Sequence, residues 1–484
     1  MKGIFLTLLL AGYSLASLSQ NIAGNWEGSL EISGNDIPIV FHISNDSAGN
    51  LVATFDSPSQ HAYSLSCNEV IVSGDSVILM MRILGGKYAA KLSEDKKQLS
   101  GIWFQGGGSL PLIVKKTSDV AIIKKINRPQ TPKPPYPYKS EEVEYYNADK
   151  SIRFGGTLTV PIPDPNVEYF RAPVYPTLFL ITGSGKQDRD ETIMNHKPFA
   201  VIADYLTRQG FAVLRVDDRQ MGKTTGNFGN STTADFAADV EAGIDFLKTR
   251  KETDSFFIGL LGHSEGALIA PMVAAKRTDV KFIILLAGPG VKITELMEQQ
   301  NVDVLASMGV SQKKLLKFRP LYRNMINIIL AEKDTASAKE KAFAVFRAWQ
   351  KNNSSSLVKA TTGVVDKKSL AAYIYGMVKQ LHQPWFNYFM RLNPAVYLSH
   401  VNCAALALNG EKDIQVAAGP NLAAIKSALE NNKNPHFKTV EIRGVNHLFQ
   451  HCKKCSVEEY GELEETIAPE VLEMISKWIK EKVY

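Results

Sequence analysis

Ser264 lies between two glycines in the stretch Gly262-His263-Ser264-Glu265-Gly266, where an apolar run typical of a buried strand meets an alanine-rich run typical of a helix. A serine in such a sharp strand–turn–helix junction stands clear of its sheet, and the helix N-terminus below it favours developing negative charge. The predicted strand covers residues 256–261 and the predicted helix covers residues 267–276. This context predicts a nucleophile, whereas a bare G-x-S-x-G is compatible with a simple turn.

A serine hydroxyl is a poor nucleophile without a base, and the chain order expected for this arrangement is serine, acid, histidine. Asp413 follows the strand-like run ALALNG, and His447 follows the last strand-like run, FKTVEIRG. Glu411 is an alternative acid, but it comes only one residue after Gly410, and Asp413 has more room to reach the base. We therefore predict a catalytic triad of Ser264, Asp413 and His447.

Other histidines compete for the role of base. His263 is part of the serine turn and is expected to point the wrong way, His436 precedes the last strand, and His451 comes one helical turn after His447. His447 alone follows the final strand directly, so it is the predicted base.

A tetrahedral intermediate also needs hydrogen-bond donors for its oxyanion. The backbone N–H of Glu265 is one predicted donor, and the N–H of Ser184, in the glycine-rich stretch of residues 182–185, is the second, with Gly185 as an alternative. The same stretch could be considered for dinucleotide binding, but it lacks the third glycine of that motif.

The elements that must position these residues form a mostly parallel sheet. Apolar runs end near residues 185, 219, 263, 290, 410 and 444, and helix-like stretches separate them. Short continuous apolar runs are typical of parallel strands buried on both faces, and their alternation with helices predicts a doubly wound α/β sheet. The interval of residues 291–400 is too long for one crossover helix. We expect a helical cap insertion there, with some of its aromatic residues in its own core and others above the site.

Residues 20–120 differ, because they consist of short strand-like runs separated by turn clusters about every ten residues. This spacing predicts a small all-β domain, either a barrel or a sandwich, and Trp26 resembles the G-x-W opening of lipocalin-like barrels. A proline-rich stretch follows, and residues 121–139 are predicted to be a linker. The α/β domain should therefore span residues 140–484.

The first nineteen residues have the form of a secretory signal peptide, with a positive start, an apolar run and small residues. Cleavage after Ala16 or Ser19 would release an exported protein, periplasmic or extracellular. In that compartment Cys452 and Cys455 could form a local disulfide or remain free thiols.

No later segment has the apolar length of a membrane anchor. The net charge is +6, but the sequence lacks the lysine- and arginine-rich blocks that are typical of nucleic-acid binding.

Several motifs, in this order, resemble the α/β-hydrolase superfamily: TGSGKQDRDE, VLRVDDRQMGKTTG, GHSEG, LNGEKD and NHLFQ. Within it, residues 140–484 are similar to secreted bacterial carboxylesterases of the EstD type. Two positions depart from the common pattern, Lys186 in place of proline and Thr182 in place of histidine. The resemblance implies hydrolysis of carboxylic esters by the triad of Ser264, Asp413 and His447. The charged residues of these motifs are expected to brace loops: Arg189, Asp190, Asp218 and Arg219.

The predicted function is that of a secreted serine esterase that acts on small-molecule esters through an acyl-enzyme intermediate. This chemistry requires neither a metal nor an organic cofactor. A serine peptidase of aminopeptidase or prolyl type on the same fold is the closest alternative, and a ligand-binding protein with a vestigial hydrolase fold is a third. The acyl and alcohol groups of the substrate and the oligomeric state stay open.

Overall fold

The computed structural model describes residues 22–32, 35–46, 49–58, 62–81, 86–105, 108–117, 126–168 and 170–483. The chain divides into two compact units, Met1–Lys125 and Ile126–Tyr484. The signal peptide predicted for residues 1–19 lies outside the described residues.

The first unit contains a nine-stranded antiparallel sheet in the order β4-β3-β2-β1-β9-β8-β7-β6-β5. The edge strands β4 and β5 are separated along the chain by Asn68 alone, so the sheet curls until its two edges approach each other and form a near-barrel. Of the two predicted architectures, the barrel-like one is observed. The strands are β1 (Gly24–Ile32), β2 (Asn35–Asn45), β3 (Leu51–Ser57), β4 (Ala62–Cys67), β5 (Glu69–Ser73), β6 (Ser76–Met81), β7 (Gly86–Leu92), β8 (Gln98–Gln105) and β9 (Gly108–Thr117).

Aromatic side chains fill the interior of this near-barrel. The rings of Phe41 and Tyr88 stack with their centroids 5.2 Å apart, and Phe55 meets Trp103 edge to face at 5.7 Å. The indole N–H of Trp26 is satisfied because it donates to the carbonyl oxygen of Ile22 at 2.9 Å. Apolar filling with satisfied polar tips is what a small stable core requires.

The second unit contains an eight-stranded sheet in the order β10-β11-β13-β12-β14-β15-β16-β17. The pairings of β11 with β10 and β13 are antiparallel and all the others are parallel, which confirms the predicted mostly parallel sheet. The strands are β10 (Tyr138–Tyr146), β11 (Arg153–Pro161), β12 (Tyr175–Ile181), β13 (Ala212–Val216), β14 (Thr253–His263), β15 (Val280–Leu286), β16 (Ala404–Gly410) and β17 (Phe437–Ile442).

Helices of the second unit cover both faces of its sheet. They are α1 (Pro198–Arg208), α2 (Thr233–Lys248), α3 (Gly266–Ala274), α4 (Ile293–Ser307), α5 (Gln312–Ala331), α6 (Thr335–Lys351), α7 (Ser355–Thr362), α8 (Lys367–Leu381), α9 (Pro384–Met390), α10 (Pro394–Leu398), α11 (Ala418–Asn431) and α12 (Pro469–Val483). Along β12, Phe179 and Ile181 join the apolar cluster of α2, α3 and α11, whereas Leu178 and Leu180 join the cluster of α1 and α12. This alternation explains why the strand is apolar throughout.

Helices α4 to α10 lie between β15 and β16, in the interval where the sequence predicts an insertion. Part of its aromatic set packs within the insertion: the ring of Phe346 lies 5.7 Å from that of Trp349 and 5.6 Å from that of Tyr373. No helix among the described residues has both the length and the apolar character needed to cross a membrane.

The start of the proline-rich stretch is fastened to the second unit. The guanidinium group of Arg128 donates to the backbone carbonyls of Gly461, Leu463 and Met194. The side-chain amide of Gln130 donates to the carbonyl of Ile467 and its oxygen accepts from the N–H of Thr466. The stretch is therefore part of this unit's hydrogen-bonded structure from Arg128 onward.

Candidate active site

The turn around Ser264 has the geometry of a nucleophile elbow. Ser264 has a left-handed backbone conformation, with φ of 53°, and it keeps part of its surface exposed. A Cβ atom on Gly262 would lie 2.0 Å from the carbonyl oxygen of Gly266, and one on Gly266 would lie 2.1 Å from that of Ile181. Both positions therefore require glycine. A non-glycine residue with positive φ costs roughly 1–3 kcal/mol, which the packing of β14 and α3 must offset.

His447 and Asp413 lie together at the carboxyl ends of β17 and β16. The Nδ1 atom of His447 is 2.8 Å from Oδ2 of Asp413, and both side chains are buried. Since a carboxylate can only accept, this contact places the proton on Nδ1 and leaves the lone pair on Nε2. The other carboxylate oxygen accepts from the backbone N–H groups of Gln415 and Val416, each at 2.8 Å. The acid and the ring are thus both fixed in orientation.

Glu411, the alternative acid, has different partners. Its carboxylate accepts from the backbone N–H of Gly444 at 2.9 Å and pairs with Lys412 at the surface. Of the alternative histidines, His451 forms exposed ion pairs with Glu465 and Glu470. Among the described residues, neither Glu411 nor His451 forms a hydrogen bond with a residue of the predicted triad.

Ser264 and His447 are not joined by a hydrogen bond in the described part of the chain. The ring of His447 instead lies against that of His263, the residue before the serine, with centroids 4.8 Å apart. Catalytic hydrogen bonds are often long in the absence of substrate and shorten in the complex. The roles of the three residues stay a prediction.

The side chain of Glu265 is buried and joins three parts of the unit. Its carboxylate accepts from the Ser184 hydroxyl at 2.8 Å, from the Thr233 hydroxyl at 2.7 Å and from the indole N–H of Trp385 at 2.8 Å. The sequence assigned Glu265 and Ser184 to the oxyanion hole through their backbone amides. The structure brings them together through their side chains, while convergence of the two amides on one oxyanion stays a prediction. Trp385, on α9, is the aromatic residue by which the insertion reaches the elbow.

A second buried pair, His263 and Glu191, was missed from the sequence. The Nδ1 atom of His263 is 3.0 Å from Oε1 of Glu191, and Nε2 is 3.0 Å from the carbonyl oxygen of His447. Glu191 ends the motif GSGKQDRDE, and that position in the motif was its only signal.

The charged residues of the neighbouring loops brace one another, as expected. Arg189 pairs with Glu142 and Asp217, and Arg219 pairs with Asp239. Asp218 differs, because its carboxyl group accepts from the Thr182 hydroxyl at 2.9 Å and from the N–H of Gln187 at 2.7 Å. Although Asp218 keeps some exposed surface, desolvation of its carboxyl group is the main reason that its pKa is raised to about 8.

Cys452 and Cys455 form a disulfide, which decides between the two predicted states. Their sulfurs lie near the carboxylate of Glu459, a grouping that resembles a metal site. However, the sulfurs are bonded to each other, and Glu459 accepts from the backbone N–H groups of Lys453, Lys454 and Cys455. These residues therefore do not fit a metal ion.

The strand order, the crossover helices on both faces and the elbow after β14 together decide the fold. The second unit has an α/β-hydrolase-like fold. Residues 195–349, which include Ser264, match the family model described as "Serine aminopeptidase, S33". Residues Asp413 and His447 lie outside the matched range.

Similar proteins include esterases. Over 137 residues the chain is 31% identical to Esterase EstD of Thermotoga maritima, a match that covers 28% of this chain and 32% of that protein. The match thus spans about a third of the relative's length. Among solved structures, the Pyrococcus furiosus esterase Pf2001 has 15% identity and a TM-score of 0.41, with 72% of this chain and 92% of that chain covered. Est1E of Butyrivibrio proteoclasticus, with ferulic acid bound, has 15% identity and a TM-score of 0.37, with 70% and 96% covered. With TM-scores below 0.5, the structural likenesses carry no information about the substrate of this chain.

Proposed function

We propose that this chain is a serine esterase that hydrolyses small carboxylic esters. The observation that carries the proposal is the strained Ser264 elbow next to the buried His447–Asp413 hydrogen bond of 2.8 Å. A hydroxyl on an elbow and an imidazole with a free Nε2 lone pair are the two reactive groups that acyl transfer needs. The local similarity to Esterase EstD supports ester cleavage.

The proposed reaction has two halves. Oγ of Ser264 attacks the ester carbonyl carbon while Nε2 of His447 takes its proton, and the N–H groups of Glu265 and Ser184 stabilise the oxyanion. Collapse breaks the bond to the alcohol oxygen, which receives the proton from His447, and an acyl-enzyme forms. Water then attacks the acyl group with His447 again as base, which releases the acid and restores Ser264. Asp413 keeps the ring in the productive tautomer throughout.

A fluorophosphonate probe tests the proposal directly. We expect intact-protein mass spectrometry to show one adduct on Ser264, and hydrolysis of p-nitrophenyl acetate to fall by about 10⁴-fold or more in Ser264→Ala. Thermal unfolding of the variant serves as the folding control. Full esterase activity in Ser264→Ala, or no adduct on the wild-type protein, would overturn the proposal.

An aminopeptidase is the second candidate, because the matching family model is described as a serine aminopeptidase. Such an enzyme needs a carboxylate that binds the amine of its substrate. Glu265 is unsuited to this task because it is buried and already accepts from three donors. Asp303 is the carboxylate we propose for this task, since it lines a cleft of about 440 Å³ together with Asp413 and, within the described part of the chain, accepts from one side chain only, that of Gln299. Comparing kcat/KM for alanyl p-nitroanilide and p-nitrophenyl acetate separates the candidates. An aminopeptidase would prefer the anilide and lose that preference in Asp303→Asn.

Export is proposed from residues 1–19 alone. The test is N-terminal sequencing of the protein from cells that express the full chain. A mature terminus at Ser17 or Gln20 is expected, and retention of Met1 in a cytoplasmic fraction would refute export.

A further inference from the structure

His263, a residue of the elbow, and Glu191 form a second histidine–carboxylate pair. The two side chains are buried, with 7% and 1% of their surfaces exposed, and Nδ1 of His263 is 3.0 Å from Oε1 of Glu191. Glu191 has a left-handed backbone conformation, with φ of 51°. A buried carboxylate on a strained backbone is costly unless the structure around it holds it in place.

The other nitrogen of His263 reaches the loop that carries His447. Nε2 is 3.0 Å from the carbonyl oxygen of His447, and because a carbonyl only accepts, Nε2 carries a proton. The two imidazole rings pack against each other with an interplanar angle of 47°. His263 thus contacts both the backbone and the ring of the predicted base.

Glu191 also holds the loop of the predicted oxyanion hole. The same Oε1 atom accepts from the backbone N–H of Gly183 at 2.6 Å. Gly183 precedes Ser184 and lies close to the nucleophile, since a Cβ atom on Gly183 would be 3.3 Å from Cβ of Ser264. One carboxylate oxygen therefore ties the oxyanion loop to the elbow histidine.

We infer that His263 and Glu191 are positioning residues that fix the His447 backbone and the Gly183–Ser184 loop relative to Ser264. This inference rests on the proposed function, and it assigns the pair no contact with substrate. These two contacts, at the His447 carbonyl and at the Gly183 N–H, set the distances from Oγ to the base and to the oxyanion donors. A misplacement of about 1 Å at such a site can cost about 10²-fold in rate.

The ionisation of His263 agrees with two donated hydrogen bonds. Burial alone would lower the pKa of its imidazole, but the charge and hydrogen bond of Glu191, with the carbonyl of His447, raise that pKa above its usual value. An imidazolium donates from both nitrogens, one to Glu191 and one to His447.

Two substitutions at residue 263 separate the two hydrogen bonds. The amide nitrogen of glutamine can occupy the place of Nε2 and keep the donor to the His447 carbonyl, whereas that of asparagine corresponds to Nδ1 and loses it. We expect kcat of His263→Asn to fall about 10–100-fold with KM within about threefold, and kcat of His263→Gln to stay within about fivefold of wild type. Fluorophosphonate labelling rates of Ser264 should follow kcat.

His196→Asn is the matched control for His263→Asn. His196 is also buried and its Nε2 contacts a backbone carbonyl, that of Tyr460 at 2.9 Å, but within the described residues it makes no hydrogen bond to the elbow. The control variant should lose stability to a similar extent while its kcat stays within about twofold of wild type.

The outcomes are distinct. If neither His263→Asn nor His263→Gln lowers kcat, the positioning role is overturned. If the wild-type protein itself is not labelled, the proposed esterase function fails instead. Should His263→Asn not fold, Glu191→Gln replaces it: kcat about tenfold lower at unchanged KM is expected, and an unchanged kcat would refute the inference.

Discussion

Carboxylates surround the elbow on two sides, and their partners differ. On the histidine side, Asp413 and Glu191 face the imidazoles of His447 and His263. On the oxyanion-loop side, Asp218 and Glu265 receive hydrogen bonds from hydroxyls, a backbone N–H and an indole. An imidazole can take up a proton next to a carboxylate, whereas these neutral donors orient a carboxylate without compensating its charge.

Burial raises the pKa values of the two carboxyl groups on the oxyanion-loop side, because their neutral donors do not compensate a negative charge. On the oxyanion-loop side, desolvation raises the pKa of Glu265, although its three donors lower it in part. For Asp218, desolvation outweighs the hydrogen bonds of Gln187 and Thr182, and the nearby charges of Glu191 and Glu265 add to the rise. We conclude that the histidine-side carboxylates face groups that can carry a proton, whereas the oxyanion-loop carboxylates face neutral donors that cannot.

The largest expected effect tests the histidine side. Asp413→Asn keeps the shape of the acid but favours the wrong tautomer of His447, so kcat for p-nitrophenyl acetate should fall about 10⁴-fold with little change in KM. Glu411→Gln is the control and should stay within about twofold. A greater loss in Glu411→Gln than in Asp413→Asn would reassign the acid.

The next effect concerns stability on the oxyanion-loop side. The pKa of Asp218 is about 8 in the folded chain, against about 3.9 for an unfolded one. Between these values the folded state holds a proton that the unfolded state has released, so the free energy of unfolding falls as pH rises, by at most about 1.4 kcal/mol per pH unit. Asp218→Asn removes this loss, because asparagine resembles the neutral acid.

The measurement is the thermal midpoint of both proteins at pH 5 and pH 8. We expect the Tm of Asp218→Asn to exceed that of the wild type by a larger margin at pH 8 than at pH 5. Other titrating groups are common to both proteins and cancel in the comparison. A difference between the two proteins that does not change with pH would contradict the raised pKa.

The smallest effect concerns the contact between the insertion and Glu265. Trp385→Phe keeps an aromatic ring but removes the N–H that donates to Glu265, a hydrogen bond worth about 1–2 kcal/mol. We expect kcat/KM to fall about five- to tenfold. Trp349→Phe is matched, since its N–H donates to the Lys317 carbonyl within the insertion. Equal losses in the two variants would mean that only the packing of the insertion is affected.

Local sequence patterns identified the candidate site residues, but they did not identify the contacts that these residues make in the folded chain. The glycines at 262 and 266 marked the elbow because only glycine fits there, and the strand ends marked Asp413 and His447. The fold class could be predicted because parallel strands that are buried on both faces must be apolar along their whole length. By contrast, the alternating polar strand β10, which forms the edge of the sheet next to β11, was missed.

Contacts between distant segments could not be predicted in the same way. Trp385 lies 120 positions from Glu265, and helical periodicity does not tell which neighbour a side chain faces. The link from Glu191 through His263 to His447 likewise depends on three loops that meet only in the folded chain. The catalytic roles, the domain limits and export stay predictions.

The hydrogen bonds of Arg128 and Gln130 determine where the chain can be divided. A fragment that begins at Lys139 would leave the carbonyls of Gly461, Leu463 and Ile467 without these donors. Loss of activity in such a fragment would then report damage to the C-terminal segment and not a contribution of the near-barrel. A cleavage site for removing the near-barrel should therefore be placed before Asn127, so that the second unit keeps Arg128 and Gln130 and their hydrogen bonds.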